Sequence, residues 1–301
     1  MHLNQFTSSL KSNILFIINP VSGGKNKQKI PALIGRYLDS EKFCATFAFT
    51  AYAGHAAELV DEAVQQRYDS IIAVGGDGTV NEIAGKLAGS NIHFGIIPLG
   101  SGNGLARSLH IPLNLKKAVA VINRYPLITI DGAILNNRYF FNVAGAGFDA
   151  RISAAFAGNK KRGFTGYALM CFREIRSYVS QTYHITIDGV SYTEKAFILS
   201  IANSPQYGNE IYISPGSKLN DGLLEVCIIK PVSLFNMLPF IWNMWRSKKQ
   251  PSKWVDIRSG KQIQIERPEE NAVHLDGEPF FMGKTIEINI IPDALKVIGK
   301  L

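Results

Sequence analysis

Two glycine-rich segments carry the residues best suited to hold a phosphate. Gly75-Gly76-Asp77-Gly78-Thr79-Val80-Asn81-Glu82 follows the apolar run SIIAV, and Pro98-Leu99-Gly100-Ser101-Gly102-Asn103-Gly104 follows HFGII. Glycines let the backbone turn sharply and come close to a ligand, and the N–H groups at a following helix start favour an anion. Nine of the 27 glycines lie between Gly75 and Gly104, so the enrichment belongs to these junctions and not to the chain at large. Thr79 and Glu82 have the S/T-x-x-E spacing of a capping box, which predicts a helix start there. The charge of Asp77 would repel phosphate; a divalent cation, or a proton to be abstracted, is the chemical reason to place a carboxylate in such a turn. The plainer reading is an Asp-Gly turn that happens to be rich in glycine.

Familiar nucleotide fingerprints do not fit. The second segment lacks G-x-G-x-x-G, because Leu105 stands at the third glycine position and no acid follows about 20 residues on. A third segment, Asn19-Pro20-Val21-Ser22-Gly23-Gly24-Lys25, is not a Walker A loop, since Asn19 replaces its first glycine and Asn26 its magnesium-binding hydroxyl. Three small-polar loops after three strands of one sheet nonetheless point to a single site at the strands' carboxyl ends. Lys25 could meet phosphate there, while Lys27 and Lys29 read as a solvated basic loop.

The elements that must position these loops are legible as a rhythm. Ile14–Ile18, Thr46–Phe49, Ser70–Val74 and Phe94–Ile97 are short continuous apolar runs, followed by amphipathic stretches such as Gly54–Gln66 and Val80–Leu87. That alternation predicts a parallel sheet with crossover helices. From about Leu127 the period becomes two, in LITIDGAIL, RYFFNVAG, YHITIDGVSY, AFILSIANS, GLLEVCII, KQIQIE and KTIEINII, grouped around turn dipeptides. The expectation is an α/β domain over 1–130 and a mostly antiparallel β domain over 131–301, whose last segment packs back on the first, with helical insertions near Gly166–Ser180 and Ser233–Ser247. With 301 residues, 46% apolar and 19% charged, the chain has material for such cores and is no disordered or fibrous sequence. Cys44, Cys171 and Cys227 fit neither a disulfide framework nor a zinc site, and the polar N-terminus offers no export signal, so a reducing cytosolic setting is expected.

Taken in order along the chain, Asn19-Pro20-x-Ser22-Gly23, Gly75-Gly76-Asp77-Gly78-Thr79-x-Asn81-Glu82, Pro98-x-Gly100-Ser101-x-Asn103, Asn142-Val143-Ala144-Gly145-x-Gly147-Phe148-Asp149, Asn220-Asp221-Gly222-x-Leu224 and Asp276-Gly277-Glu278 resemble the diacylglycerol kinase catalytic family, in particular soluble bacterial lipid kinases related to diacylglycerol and sphingosine kinases. The resemblance implies a Rossmann-like, phosphofructokinase-like nucleotide domain, a β-sandwich-like lipid domain, and a cleft between them using ATP and Mg2+. It implies that the loop from Gly75 through Gly76, Asp77, Gly78 and Thr79 to Asn81 cradles the ATP phosphates, with Asn19, Ser22, Thr50, Gly100, Ser101 and Asn103 as further nucleotide contacts. Asp77 would act through magnesium and Glu278 as general base toward a lipid hydroxyl. Lys218, Asp221 and Leu223 would form a second metal site, through one carboxylate and two backbone carbonyls. Asp-Gly at 221–222 and 276–277 read alone as hairpin turns. Many bacterial diacylglycerol kinases have Asn-Asp where Asn103-Gly104 stands, and the form here is closer to sphingoid-base and ceramide kinases, which bears on the acceptor. A non-catalytic nucleotide or lipid sensor is the alternative from another class, disfavoured by the intact Asp77 and Glu278. The scattered histidines receive no role.

The net charge of +8 has a place in the chain. Arg151 to Arg176 and Arg246 to Lys261 each hold six basic residues against one acid, which exceeds the whole imbalance. The second window follows Leu234, Met237, Leu238, Ile241, Met244 and Trp245 at helical spacing, with Trp242 and Trp254 nearby. An apolar face, interfacial aromatics and adjacent cations suit a peripheral helix on an anionic leaflet, through Trp242, Trp245, Lys248 and Lys249; an amphipathic core helix with a solvated tail is the plainer reading. Partners are therefore a lipid substrate and the inner membrane surface from the cytoplasmic side, while nucleic acid lacks a recognisable module. The oligomeric state is left open, a homodimer included. Vesicle co-sedimentation is expected to rise with anionic lipid and to fall on replacing Trp242 and Trp245 by Ala; binding indifferent to both changes would reject membrane docking by this segment.

Overall fold

The computed structural model describes residues 11–24, 27–157, 170–171, 173–232, 239, 242–243 and 254–301. Four parallel strands open the chain: β1 (Ser12–Ile18), β2 (Phe43–Phe49), β3 (Ser70–Gly75) and β4 (His93–Pro98), in the spatial order β2-β1-β3-β4. Helices α1 (Ile30–Tyr37), α2 (His55–Gln65), α3 (Asp77–Leu87), α4 (Gly104–Ser108) and α5 (Leu115–Arg124) lie between and after them. Every residue of β3 is buried, as a strand covered on both faces must be. Helix α2 packs on α3 and α1 on α5. All four strands form where the apolar runs predict them, extended by one to three residues.

Antiparallel structure follows in β5 (Leu127–Leu135), β6 (Arg138–Phe140), β7 (Val143–Gly147), α6 (Phe148–Ala157), β8 (Gln181–Ile187), β9 (Val190–Ala196), β10 (Ile198–Ala202), β11 (Gln206–Gly208), β12 (Ile211–Tyr212), β13 (Leu224–Ile229), β14 (Val255–Gly260), β15 (Gln262–Glu266), β16 (Asn271–Leu275), β17 (Glu278–Met282) and β18 (Thr285–Ile298). Among the described residues, β14-β13-β10-β7-β16-β17 make one sheet. The other continues from the parallel strands as β4-β18-β15-β8-β9, with β5 on β18 and β6 on β5. Tyr183, Ile185, Ile263, Ile265, Ile286 and Ile288 of this sheet meet Leu199, Ile201, Leu224, Val226, Val273 and Leu275 of the other in a buried core, so the antiparallel part is a sandwich. Helix α6 covers the opposite face of the second sheet through Phe148 and Ile152, packed with Phe197 and Cys227.

Strand β18 is the hinge of this architecture, since it pairs antiparallel with β5 and β15 and meets β4 in parallel at Val297 and Phe94. The Asp131-Gly132 pair inside LITIDGAIL is not a turn: β5 runs straight through it, opposite a register shift between Ile291 and Leu295 of β18. Asp131 is buried there and accepts the N–H of Gly222 at 2.7 Å and of Asp293 at 2.9 Å, a hydrogen-bonding role that alternation cannot reveal. Asp276-Gly277 is a true hairpin turn between β16 and β17, with left-handed φ of 49° and 89°. Most of the two expected helical insertions lies outside the described residues. Among the described residues no helix is long and apolar enough to cross a membrane.

Candidate active site

The three small-polar loops converge at the carboxyl ends of β1, β3 and β4. Asn19 donates from Nδ2 to Thr79 Oγ1 at 3.0 Å, and its own Oδ1 accepts the N–H of Val21. Ser22 donates to the Asn19 carbonyl, and the Thr50 N–H to that of Ile18, so both are fixed beside the first loop. Gly76 and Gly100 touch back to back: a Cβ on Gly100 would stand 2.6 Å from the Gly76 Cα. Asn103, in a left-handed conformation, closes its loop by accepting the Gly100 N–H at 2.9 Å and donating to the Gly100 carbonyl at 2.8 Å. Ser101 is exposed on the loop's rim. The Oδ1 of Asn81 is buried without a hydrogen-bond partner among the described residues, the state of an acceptor that a ligand would satisfy.

The helix cap expected at Thr79 lies three residues earlier. Helix α3 begins at Asp77 with Gly76 as its cap, and no side chain caps it. Thr79 is taken by Asn19, and Glu82 accepts the Ala57 N–H at 3.0 Å, capping the first turn of α2. A capping-box spacing within one segment was thus used between segments.

Asp77 fastens the two glycine loops together. Its carboxylate accepts the N–H of Asn103 at 2.9 Å and of Gly104 at 2.7 Å, and an ionised carboxylate has capacity left for further ligands. Burial pushes its pKa up, against those hydrogen bonds and the nearby Arg107. Gly104 has a packing reason, since a Cβ there would run into Asn142 Nδ2 and stand 2.8 Å from the Tyr207 carbonyl. Asn142 immediately precedes β7 of the sandwich and Tyr207 lies on β11, which pairs with β12 in a separate two-stranded sheet, so the second part of the chain packs directly on the loop of Gly100 to Gly104.

Glu278, first residue of β17, crosses to the α/β half. Its Oε1 occupies the place where a Cβ on Gly78 would stand, so a side chain at 78 and this carboxylate exclude one another. Desolvation raises the Glu278 pKa, helped by Glu82 and Asp77 and opposed by Arg138. The turn behind it is held by Asp276, whose carboxylate accepts three backbone N–H groups, from Phe141, Asn142 and Val143, each at 2.9 Å. Burial still pushes Asp276 up to about 6. Ser153 of α6 donates to the Gly277 carbonyl at 2.6 Å and braces the same turn.

The segment carrying Lys218, Asp221 and Leu223 is positioned by Asp131 through Gly222, while Leu219 gives its carbonyl to the Asp131 N–H at 2.6 Å. Asp221 is exposed and accepts the Leu223 N–H at 3.2 Å. One carboxylate and backbone carbonyls are hard oxygen donors of the kind magnesium takes together with water. Among the described residues no group of three or more His, Cys, Asp or Glu side chains could enclose a metal, so a cation here would rely on those carbonyls. Asn203 joins this region to the Asp276 turn by donating to the carbonyls of Asp131 and Phe141 at 3.0 and 2.9 Å.

Several participants escape sequence reasoning. Lys27 is buried at 5% exposure and not part of a solvated loop. Beside it, Pro20, Lys27, Gln28 and Phe49 line a cavity of about 510 Å³ next to the first loop. His274, two residues before Asp276, is buried with Nε2 3.1 Å from the Asp149 carboxylate, which also accepts from Ser200 and Tyr207 at 3.2 Å each. A single histidine with its acid 125 residues away leaves no local signal. Of the membrane residues, Trp242 is 56% exposed, and Trp245, Lys248 and Lys249 lie outside the described residues.

Comparison with known proteins shows the family and the fold. The profile of the diacylglycerol kinase catalytic domain matches residues 13–133, and that of the YegS C-terminal NAD kinase beta sandwich-like domain matches 142–299. A "Probable lipid kinase YegS-like" of Pectobacterium atrosepticum is 28% identical over 288 residues, covering 93% of this chain and 94% of its own. A protein of the same name from Klebsiella pneumoniae is 32% identical over 250 residues, covering 81% and 82%. The crystal structure of a diacylglycerol kinase from Bacillus anthracis, 23% identical, aligns over 96% of this chain and 97% of its own with a TM-score of 0.73, and so shares the fold.

Gly78→Ala tests the cleft. The new methyl group is expected to displace the Glu278 carboxylate, a flexible end, and so to lower kcat by about 100-fold, as roughly 1 Å of misplacement does, with little change in Tm. Full activity in this variant, measured with any accepted lipid, would show that Glu278 need not sit there.

Proposed function

Because the chain belongs to the diacylglycerol kinase catalytic family, whose members are phosphotransferases with an alcohol acceptor, we propose that it transfers the γ-phosphoryl group of ATP to a hydroxyl of diacylglycerol or a related long-chain lipid. The observation that carries this reading is the Glu278 carboxylate resting on Gly78, inside the turn that opens α3. A base supplied by the sandwich thereby faces a phosphate cradle supplied by the parallel sheet.

The chemistry follows from that juxtaposition. The lipid hydroxyl gives its proton to Glu278 while its oxygen bonds to the γ-phosphorus. The bond from that phosphorus to the β–γ bridging oxygen breaks, and ADP leaves with the electron pair. Such transfer needs mostly positioning and neutralisation of charge. Backbone N–H groups of the Gly75 to Asn81 turn would orient the phosphates, with Gly100, Ser101 and Asn103 across from them and Asn81 Oδ1 as a further contact. Asn19, Ser22 and Thr50 would line the approach, and the cavity bounded by Phe49 and Lys27 has a suitable size for the base end of the nucleotide. Magnesium would be held by Asp77 and, at the second position, by Asp221 with the Lys218 and Leu223 carbonyls, and it supplies charge neutralisation when bound.

Sphingoid base or ceramide is the second acceptor class, favoured by the Asn103-Gly104 form that the close approach of Asn142 requires. Radiolabelled ATP with a panel of diacylglycerol, sphingoid base and ceramide separates the two classes. Asp77→Asn and Glu278→Gln are each expected to lower kcat by at least about 100-fold on the accepted lipid; transfer to no lipid, or unimpaired transfer by both variants, overturns the reading.

The acid limb of activity provides a separate check. The base must be ionised, and its pKa is raised, so the limb in kcat/KM is expected above the ordinary glutamate value of about 4.3. Activity is lost as pH falls through the raised value. A limb at or below the ordinary value would remove Glu278 from the role of base.

A further inference from the structure

Outside the residues assigned so far, Arg138 stands close to Glu278 among the described residues. Arg138 lies on β6, next to α3, and its guanidinium carbon is 4.4 Å from the centre of the Phe280 ring. Phe280 is two residues beyond Glu278 on β17, hence on the same face of that strand. The stack therefore holds the guanidinium beside the proposed base, near enough for its charge to act on the Glu278 carboxyl. Among the described residues Arg138 makes no salt bridge, whereas Arg107 is occupied by the Gly102 carbonyl and Glu210.

Charge makes this placement consequential. Four acids, Asp77, Glu82, Asp276 and Glu278, surround the start of α3, and each of the last two is affected by another of them. The glycine loops facing them carry no cation of their own. A polyphosphate or an anionic lipid entering such a cleft meets repulsion unless a cation offsets it. A guanidinium is suited to that task, because its planar fork matches two phosphate oxygens and its other face stacks on an aromatic ring.

We propose that Arg138, oriented by Phe280, binds a phosphate oxyanion opposite Glu278 in the reacting complex. The inference rests on the kinase reading. Two phosphates could fill the place: the γ-phosphoryl group in transfer, or a phosphate carried on the lipid head group. In the first case Arg138 offsets charge that develops as the β–γ bond breaks; in the second it selects lipids.

Steady-state kinetics of the full chain with diacylglycerol, and inhibition by phosphatidic acid, distinguish the sources. If the γ-phosphoryl group is bound, Arg138→Gln is expected to lower kcat at least about tenfold on the neutral acceptor, with Arg138→Lys intermediate. If a head-group phosphate is bound, kcat stays within about twofold and the inhibition constant of phosphatidic acid rises at least about fivefold. Both quantities unchanged within about twofold overturn the proposal, as does an equal loss in both variants accompanied by an equal fall in Tm, which would mark Arg138 as structural. Phe280→Leu keeps the cation and removes its platform, and is expected to give a smaller change of the same kind. A wild-type protein inactive on every lipid rejects the kinase reading instead. Calorimetry with ATP and with phosphatidic acid then decides for Arg138, where unchanged affinities in Arg138→Gln reject it.

Discussion

The structure depends on a buried carboxylate that gathers backbone N–H groups. Asp276 accepts three of them from residues 141 to 143, and so ties the β16–β17 hairpin to the entry of β7. Glu278 can reach Gly78 only because the hairpin is fixed at that angle. Asp77 does the same between two loops of the parallel sheet, and Asp131 between β5, β18 and the 218–223 segment. Three aspartates thus replace, in irregular backbone, the ladder partners that loops lack, and a buried N–H without an acceptor would cost about 1–3 kcal/mol.

This arrangement concentrates negative charge around the start of α3. Burial raises both Asp276 and Glu278, helped at each by Asp77 and at Glu278 also by Glu82, so Glu278 holds its proton more readily than a surface glutamate does. Cations offset that negative charge: Arg138, on the Phe280 ring, acts on Glu278, and Arg107 acts on Asp77. The close packing of Gly76 on Gly100 and of Asn142 on Gly104 leaves the loops little room to rearrange, which suits a reaction that depends on positioning.

Long-range pairing explains what the sequence hid. The 14-residue strand β18 belongs at once to the parallel and the antiparallel parts; the last segment is expected to pack back on the first domain, but no local pattern in KTIEINII says that it does so by pairing with β4, near 200 residues earlier. Asp131-Gly132 reads as a turn because Asp-Gly usually is one, yet the opposing bulge lets the strand continue. Lys27 reads as solvated because its neighbours are polar, and its burial exists only in the folded chain. His274 and Asp149 each have ordinary sequence surroundings and acquire a shared role through the adjacency of β7, β10 and β16.

By itself the sequence determined the strand and helix rhythm, the change of period near residue 127, and the loops with the composition to bind phosphate, because periodicity and turn chemistry act over a few residues. It also identified the family, since six ordered motifs span nearly the whole chain. Tertiary structure alone decided that Glu278 meets Gly78, that Asp77 clips one glycine loop to another, and that Arg138 stacks beside the proposed base. The first and last depend on contacts between residues about 140 or 200 positions apart, and the Asp77 clip on two strands of one sheet lying side by side; each exists only after the chain has closed on itself.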